Sequence, residues 1–501
     1  MPVLPLLLAL SSGGLVWSHD AGPGPSFVVL GDRGGQVLVG SDLSGIALLS
    51  SFDAHPPSPA WQSTLAGRHV AARDRDAYLL FYDAPVSGTT AHSVIHLFRS
   101  GSNVPRWSYE YPEQGLSFAV AGMSRDGRVV ASVWTDFTIL QHELRIHDPD
   151  TGVASAPLVL PASAFPGRLE VAPDGTFAAM SAGYDGPVLV VEIAGGSVVF
   201  STPGSIPSRQ AIAEEGRTLV VVERVLGVRW HLRVFVRDGN GYRETLDRIS
   251  PFDTPPIDAV TSDDGSTVAA SWYKDDQPGR SVVRAFDSAT GAMTMERALG
   301  VPSLRNYPSD LAINDDGSRF VLGSFGDDTG VPAELEVFSP VRNEPIADYP
   351  VGGSVLRVDI APDGDRLVAV RAPFHYDWGF LHLDVEMYEL GGEDLVLRGR
   401  PSIGETVAFE FEAPPGATAY LLSAPRLAQE PILLPGVGTL VLGPSLLQTD
   451  EIGVVPPSGA GTHAVPIAND PTLVGRTTYH QVLTVGPRHL SEDWVQLTVL
   501  P

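Results

Sequence analysis

The chain has 501 residues, too many for one ordinary core, and its 43% apolar content with 52 Gly and 43 Pro argues for a folded chain rich in turns and against disorder. Its 33 basic and 59 acidic residues leave a net charge of -26, which repels phosphate backbones and anionic lipid surfaces and so argues against nucleic-acid partners. There is no cysteine, so disulfides and thiolate metal sites are excluded, and stability must come from apolar packing and strand pairing.

At the start, Val3 to Leu10 is apolar, Ser11 to Gly14 is small and polar, and Val16-Trp17-Ser18 precedes a cleavage point after Ser18. Residues 1–25 therefore read as a signal peptide and leader, although no Lys or Arg precedes the apolar run. A secreted or cell-envelope location is the expectation. No later apolar run reaches the roughly 18–20 residues needed to cross a bilayer, so no membrane span is expected.

From 26 to 398 one phrase recurs: an apolar strand, an acidic-Gly turn, and a second apolar strand. Weak copies stand at Arg33-Gly34-Gly35 and Asp74-Arg75-Asp76. Clear copies follow at Ser124-Arg125-Asp126-Gly127, Pro173-Asp174-Gly175, Glu214-Glu215-Gly216, Asp263-Asp264-Gly265, Asp315-Asp316-Gly317 and Pro362-Asp363-Gly364. Asp-Gly lets the backbone take positive φ at little cost, so each phrase predicts a β-hairpin. The turn glycines lie 41 to 52 residues apart, close to the roughly 40–50 residues of one four-stranded propeller blade. Second strands such as Val268-Ala269-Ala270-Ser271 are small and continuously apolar, as burial on both faces requires. Third strands such as Leu144 to His147 and Val282 to Phe286 run into the turns Asp148-Pro149-Asp150-Thr151-Gly152 and Asp287-Ser288-Ala289-Thr290-Gly291. The expected fold is all-β: a β-propeller of seven or eight four-stranded blades, followed by a small β-sandwich. The unit beginning near Phe27 is either a full blade or a part that supplies a closing strand.

These Asp-Gly repeats with their Thr-Gly turns resemble bacterial YVTN/WD40-like propellers over 26–398, without the Gly-His and Trp-Asp dipeptides of eukaryotic WD40 repeats. The resemblance implies an architecture and no single activity. From Pro401 the grammar changes, and 399–501 reads as a β-sandwich with strands at Thr406 to Glu412, Ala419 to Ser423, Gly438 to Leu442, Thr478 to Val485 and Trp494 to Leu500. Its stretch Pro466 to Gly475 with Tyr479-His480-Gln481 resembles a C-terminal module of secreted bacterial proteins.

The common catalytic and nucleotide-binding frameworks are missing: no Gly-x-Ser-x-Gly elbow, His-Glu-x-x-His helix, Walker loop or Rossmann glycine fingerprint occurs. No cofactor and no metal is expected. Asp148 and Asp150 lack the ligand spacing of a calcium loop and are better suited to capping their own turn. His375-Tyr376-Asp377-Trp378 with His382 forms either a ligand patch or the cover of a blade edge. Trp107, Tyr109 and Tyr111 read as outer-strand packing, since a quinone-docking tryptophan phrase would recur in every blade.

Seven residues before each turn glycine stand Val120, Arg168, Arg209, Asp258, Asp310 and Arg357. Equivalent positions in a closed propeller form a ring, so the last five should gather near one mouth of the channel. They make either inter-blade salt bridges or an anion-reading mouth around Arg168 and Arg209. Two functions follow: a non-catalytic propeller binding a protein or glycan ligand, or a hydrolase or lactonase-like enzyme with its site at the channel mouth. A cluster of His and carboxylates with shifted protonation at that mouth would favour the enzyme.

Overall fold

The computed structural model describes residues 13–499 except for connecting stretches, of which those of five residues or more are 31–35, 51–58, 86–90, 112–116, 162–167, 251–255, 274–280, 300–306, 327–332, 373–382 and 443–447. The described residues are nearly all strand. Eight four-stranded antiparallel sheets form in chain order, and each runs from an inner strand outward. The inner strands are Phe27–Leu30, Arg68–Ala72, Ser117–Met123, Leu169–Val171, Ile206–Ile212, Asp258–Thr261, Pro308–Ile313 and Ser354–Ile360, which define blades 1 to 8. The unit at Phe27 is a full blade, and both weak turn phrases fall between paired first and second strands. The fold is a β-propeller.

Blade 8 takes its outer strand from the other end of the repeat: Gly13–Gly22 pairs with Leu383–Leu390. Residues read from sequence as part of a leader thus complete a sheet. Closure is also visible at the inner strands, where the Leu30 N–H of blade 1 donates to Asp359 Oδ2 of blade 8 at 2.8 Å. A sheet whose ends meet exposes no inner edge.

The second strands meet their expectation. Phe177–Ser181 and Phe320–Ser324 are buried at every residue, and Thr267–Trp272 at all but the first. The apolar cores lie between neighbouring blades: Val133, Leu144, Leu169 and Met180 join blades 3 and 4, while Val220, Leu232, Val268 and Trp272 join blades 5 and 6. A lone blade would leave both faces bare, so the repeat is stable only as a stack. The turn glycines serve this packing as well as the hairpin. Gly265 has φ +74, and a Cβ there would sit 2.8 Å from Thr218 Oγ1 of the preceding blade, whose hydroxyl donates to the Gly265 carbonyl at 2.7 Å.

Contacts divide the chain into two compact units, one of 17–345 and 350–387 and the other of 1–16, 346–349 and 388–501. In the C-terminal part Leu395–Arg398, Thr406–Glu412 and Ala460–Pro466 form one sheet. Gln448–Val454, Thr418–Ala424 and Thr477–Val485, with the short strands His489–Leu490 and Val495–Thr498, form a second. Val407, Phe409 and Phe411 from the first meet Ala419, Leu421, Val482 and Leu497 from the second in one core, the arrangement of a small β-sandwich.

Candidate functional site

The blade repeat fixes where equivalent side chains sit along the channel, so the site is built level by level from the inner strands. Ladder hydrogen bonds hold each inner strand to its second strand, and residues two apart on an inner strand share a face. Three levels carry charge, set seven, five and two residues before the turn glycine.

At the first level the structure brings together all five residues singled out from sequence. Arg209 Nε stands 3.5 Å from Asp258 Oδ1, joining blades 5 and 6. Asp258 and Asp310 share a side-chain hydrogen bond, joining blades 6 and 7. Asp310 Oδ2 accepts from the Val358 N–H of blade 8 at 3.0 Å, and Arg357 lies within electrostatic reach. Four blades are thus stitched by one run of polar contacts. Burial, then the neighbouring Asp258, pushes Asp310 up to about 8 against the pull of Arg357. Val120 fills the same level in blade 3 and packs against the apolar core between blades 3 and 4.

Arg168 differs from its ring partners. It stands one residue before Leu169–Val171 and is exposed, and its guanidinium makes no hydrogen bond or ion pair among the described residues. Its backbone is firmly held: Arg168 N–H donates to Ser181 Oγ at 2.8 Å, and its carbonyl accepts from Ser181 N–H and Gln210 Nε2. Desolvation and the nearby Arg209 both disfavour its charge, while Glu170, Asp258 and Asp310 favour it.

The second level holds a residue that sequence reasoning missed. Glu170 lies two residues after Arg168 on the same strand and makes no side-chain hydrogen bond among the described residues. It keeps some solvent-accessible surface yet is hemmed in by protein, so desolvation, aided by Asp258, lifts it to about 7 against Arg168 and Arg209. The equivalents in the other clear units are Gly122, Ala211, Val260, Ala312 and Asp359. Asp359 is already committed to Leu30 and Ile360 N–H groups.

The third level, two residues before the glycine, holds Arg125, Pro173, Glu214, Asp263, Asp315 and Pro362. Arg125 of blade 3 forms ion pairs with Asp263 of blade 6 and Asp315 of blade 7. In a ring of eight, blade 7 stands opposite blade 3, so this side chain crosses the channel at its turn end. Around it the turns are laced together: Glu214 N–H donates to the Asp263 carbonyl at 2.8 Å, Asp263 N–H to Asp315 at 2.9 Å, and Asp315 N–H to Pro362 at 3.2 Å. Desolvation and Asp174 raise Glu214. The symmetry argument that found the first level would have found this one, had it been applied to the turn.

Other sequence candidates resolve as structure. Asp148 Oδ1 accepts from the Asp150 and Thr151 N–H groups at 2.9 and 2.7 Å, capping its own turn. Trp107, on the outer strand Ser102–Glu110 of blade 2, stacks on His147 with ring centres 5.8 Å apart and donates to the Pro149 carbonyl. The group from His375 to His382 lies outside the described residues.

No family model and no curated protein matches the chain. Among solved structures, hydrazine synthase of Kuenenia stuttgartiensis is similar over 70% of this chain and 93% of its own, at 14% identity and a TM-score of 0.42. The β-propeller domain of Myceliophteria thermophila Cps50 (Swd1) is similar over 74% of this chain and 98% of its own, at 10% identity and a TM-score of 0.42. The fold assignment rests on the eight sheets themselves.

Proposed function

We propose that the protein is a binding propeller whose channel takes an anionic group at the end where the inner strands begin. The single observation that carries this reading is Arg168, a guanidinium with no ion pair in a ring where Arg209 is already engaged by Asp258. Three arginines there face two aspartates, of which Asp310 is raised to about 8, and one glutamate raised to about 7. The level is therefore locally positive on a chain of net charge -26, and a guanidinium fork suits a carboxylate or phosphate. The repeat phrases support a YVTN/WD40-like propeller of the bacterial secreted type, displaying this mouth to an acidic ligand on a glycan or protein, with the C-terminal sandwich as attachment module.

One observation favours the enzymatic alternative: a carboxyl held protonated near neutral pH, as Asp310 is, has the properties of a general acid. Against a hydrolase or lactonase-like role, both aspartates are tied to neighbouring blades, and no histidine joins them among the described residues. Titration calorimetry with acetate and with choline at constant ionic strength tests the binding reading. Acetate should bind and choline should not, and Arg168→Ala should weaken acetate about tenfold or more. Equal uptake of both ions, or no effect of the substitution, would overturn it.

A further inference from the structure

Glu170 is the side chain that the fold does not account for. Glu170 keeps part of its surface accessible, whereas a carboxylate in a purely structural role is given hydrogen-bond donors or replaced by something apolar. The other five clear units follow that rule at this level: glycine, alanine or valine stands in four, and Asp359 receives two backbone N–H groups. Glu170 alone among these six positions has neither solution. It shares a strand face with Arg168, two residues and roughly 6.6 Å of strand away, and Arg168 is likewise unengaged. The two attract one another, both keep accessible surface, and neither side chain makes a hydrogen bond among the described residues.

Resting on the anion-binding reading, we propose that Arg168 and Glu170 together select a small organic acid carrying a hydroxyl on the carbon beside its carboxylate, as in a hydroxy acid or a sugar-acid unit. Arg168 takes the carboxylate and Glu170 accepts the hydroxyl proton. The surroundings choose a hydroxyl over an ammonium. Arg209 and Arg357 stand on neighbouring blades, and the aspartate pair is occupied with Arg209 and the Val358 N–H. A ligand cation would enter a region already crowded with three guanidinium groups. A hydroxyl adds no charge, and it can hydrogen-bond Glu170 in either protonation state.

Three acids of one carbon skeleton separate the outcomes: propionate, racemic lactate and racemic alanine, titrated calorimetrically into the full chain at pH 7.5, where Glu170 is largely ionised and Asp310 is not. Lactate should bind about tenfold more tightly than propionate, the discrimination expected when a charged group would otherwise go unpaired. Alanine should show no advantage over propionate. Glu170→Leu should abolish the preference, with lactate and propionate bound equally and neither more weakly than propionate to the unmodified chain, while Glu170→Gln, whose amide oxygen still accepts, should keep much of the preference. Equal affinity for lactate and propionate, or alanine as the tightest ligand, overturns the selection by Glu170 and leaves the anion reading standing. Loss of all three ligands, or binding indifferent to Arg168→Ala, overturns the anion reading itself.

Discussion

The two ends of the propeller channel carry similar charges and use them differently. At the turn end Arg125 crosses the channel to ion pairs with Asp263 and Asp315, beside a Glu214 that makes no side-chain hydrogen bond or ion pair among the described residues. At the strand-start end, Arg209, Asp258 and Asp310 are tied from blade to blade, but the side chains of Arg168 and Glu170 make no hydrogen bond or ion pair among the described residues. An arginine pinned between the carboxylates of two other blades is a brace. A ring with an unmatched cation beside an unmatched acid is a receptor, because their hydrogen-bonding capacity is still to be filled.

The largest effect should come from the brace. Gly265→Ala places a side chain at positive φ and against Thr218, so stability should fall by on the order of 2–3 kcal/mol, read as a clear drop in melting temperature with acetate affinity unchanged. If affinity falls with it in the folded variant, the two ends are coupled and the comparison breaks.

Next comes the receptor end. Arg168→Ala should cost about tenfold or more in acetate affinity, yet shift the melting temperature by less than about 1 °C, since the side chain makes no hydrogen bond or ion pair among the described residues. Arg209→Ala would not be so neutral, because it releases Asp258.

Arg125→Ala should lower the melting temperature by about 2–4 °C, through two carboxylates losing their shared cation, and leave acetate binding intact. Screening of partly exposed charges keeps this effect modest, and it should shrink further in high salt. A variant with unchanged melting temperature but stronger ligand uptake would show that Arg125 gates the channel.

The smallest effect concerns pH. Asp310 has its folded value raised above its unfolded one, so its stabilising contribution is full below about pH 4 and is lost as the pH rises through about 8. Asp310→Asn can still accept from Val358 N–H and donate to Asp258, but it cannot titrate. Its melting temperature should therefore decline less than that of the unmodified chain between pH 5 and 8.5. Ligand binding shifts the same way: as Glu170 and Asp310 gain protons below about 7 and 8, the site turns more positive and acetate should bind more tightly. Acetate affinity that rises towards pH 9 would contradict the assignment of charge at this end.

Much of this was legible in the sequence because a repeat converts spacing into geometry. The turn glycines at 127, 175, 216, 265, 317 and 364 marked the blades, and counting seven residues back found Arg168, Arg209, Asp258, Asp310 and Arg357 at one level. Counting five or two back would have found Glu170 and Arg125 by the same reasoning. In the sandwich there is no repeat to count, and only strands with strong apolar patterns were legible. Thr406–Glu412 and Gly438–Leu442 matched their expected bounds, while Gln448–Val454, exposed along most of its length, was missed.

By itself, the sequence determined the hairpin turns, the blade period and the level of each channel residue, since these follow from local backbone preferences and from the two-residue alternation of a strand. Only the tertiary structure decided that the blades number eight, that Gly13–Gly22 completes the last of them, and which charges find partners. Those outcomes depend on which side chains meet across gaps of 40 residues and more. Arg125 reaching Asp315, the raised Asp310 beside Asp258, and the lack of side-chain hydrogen bonds at Arg168 and Glu170 among the described residues are set by closing the ring, and no property of the residues taken singly contains them.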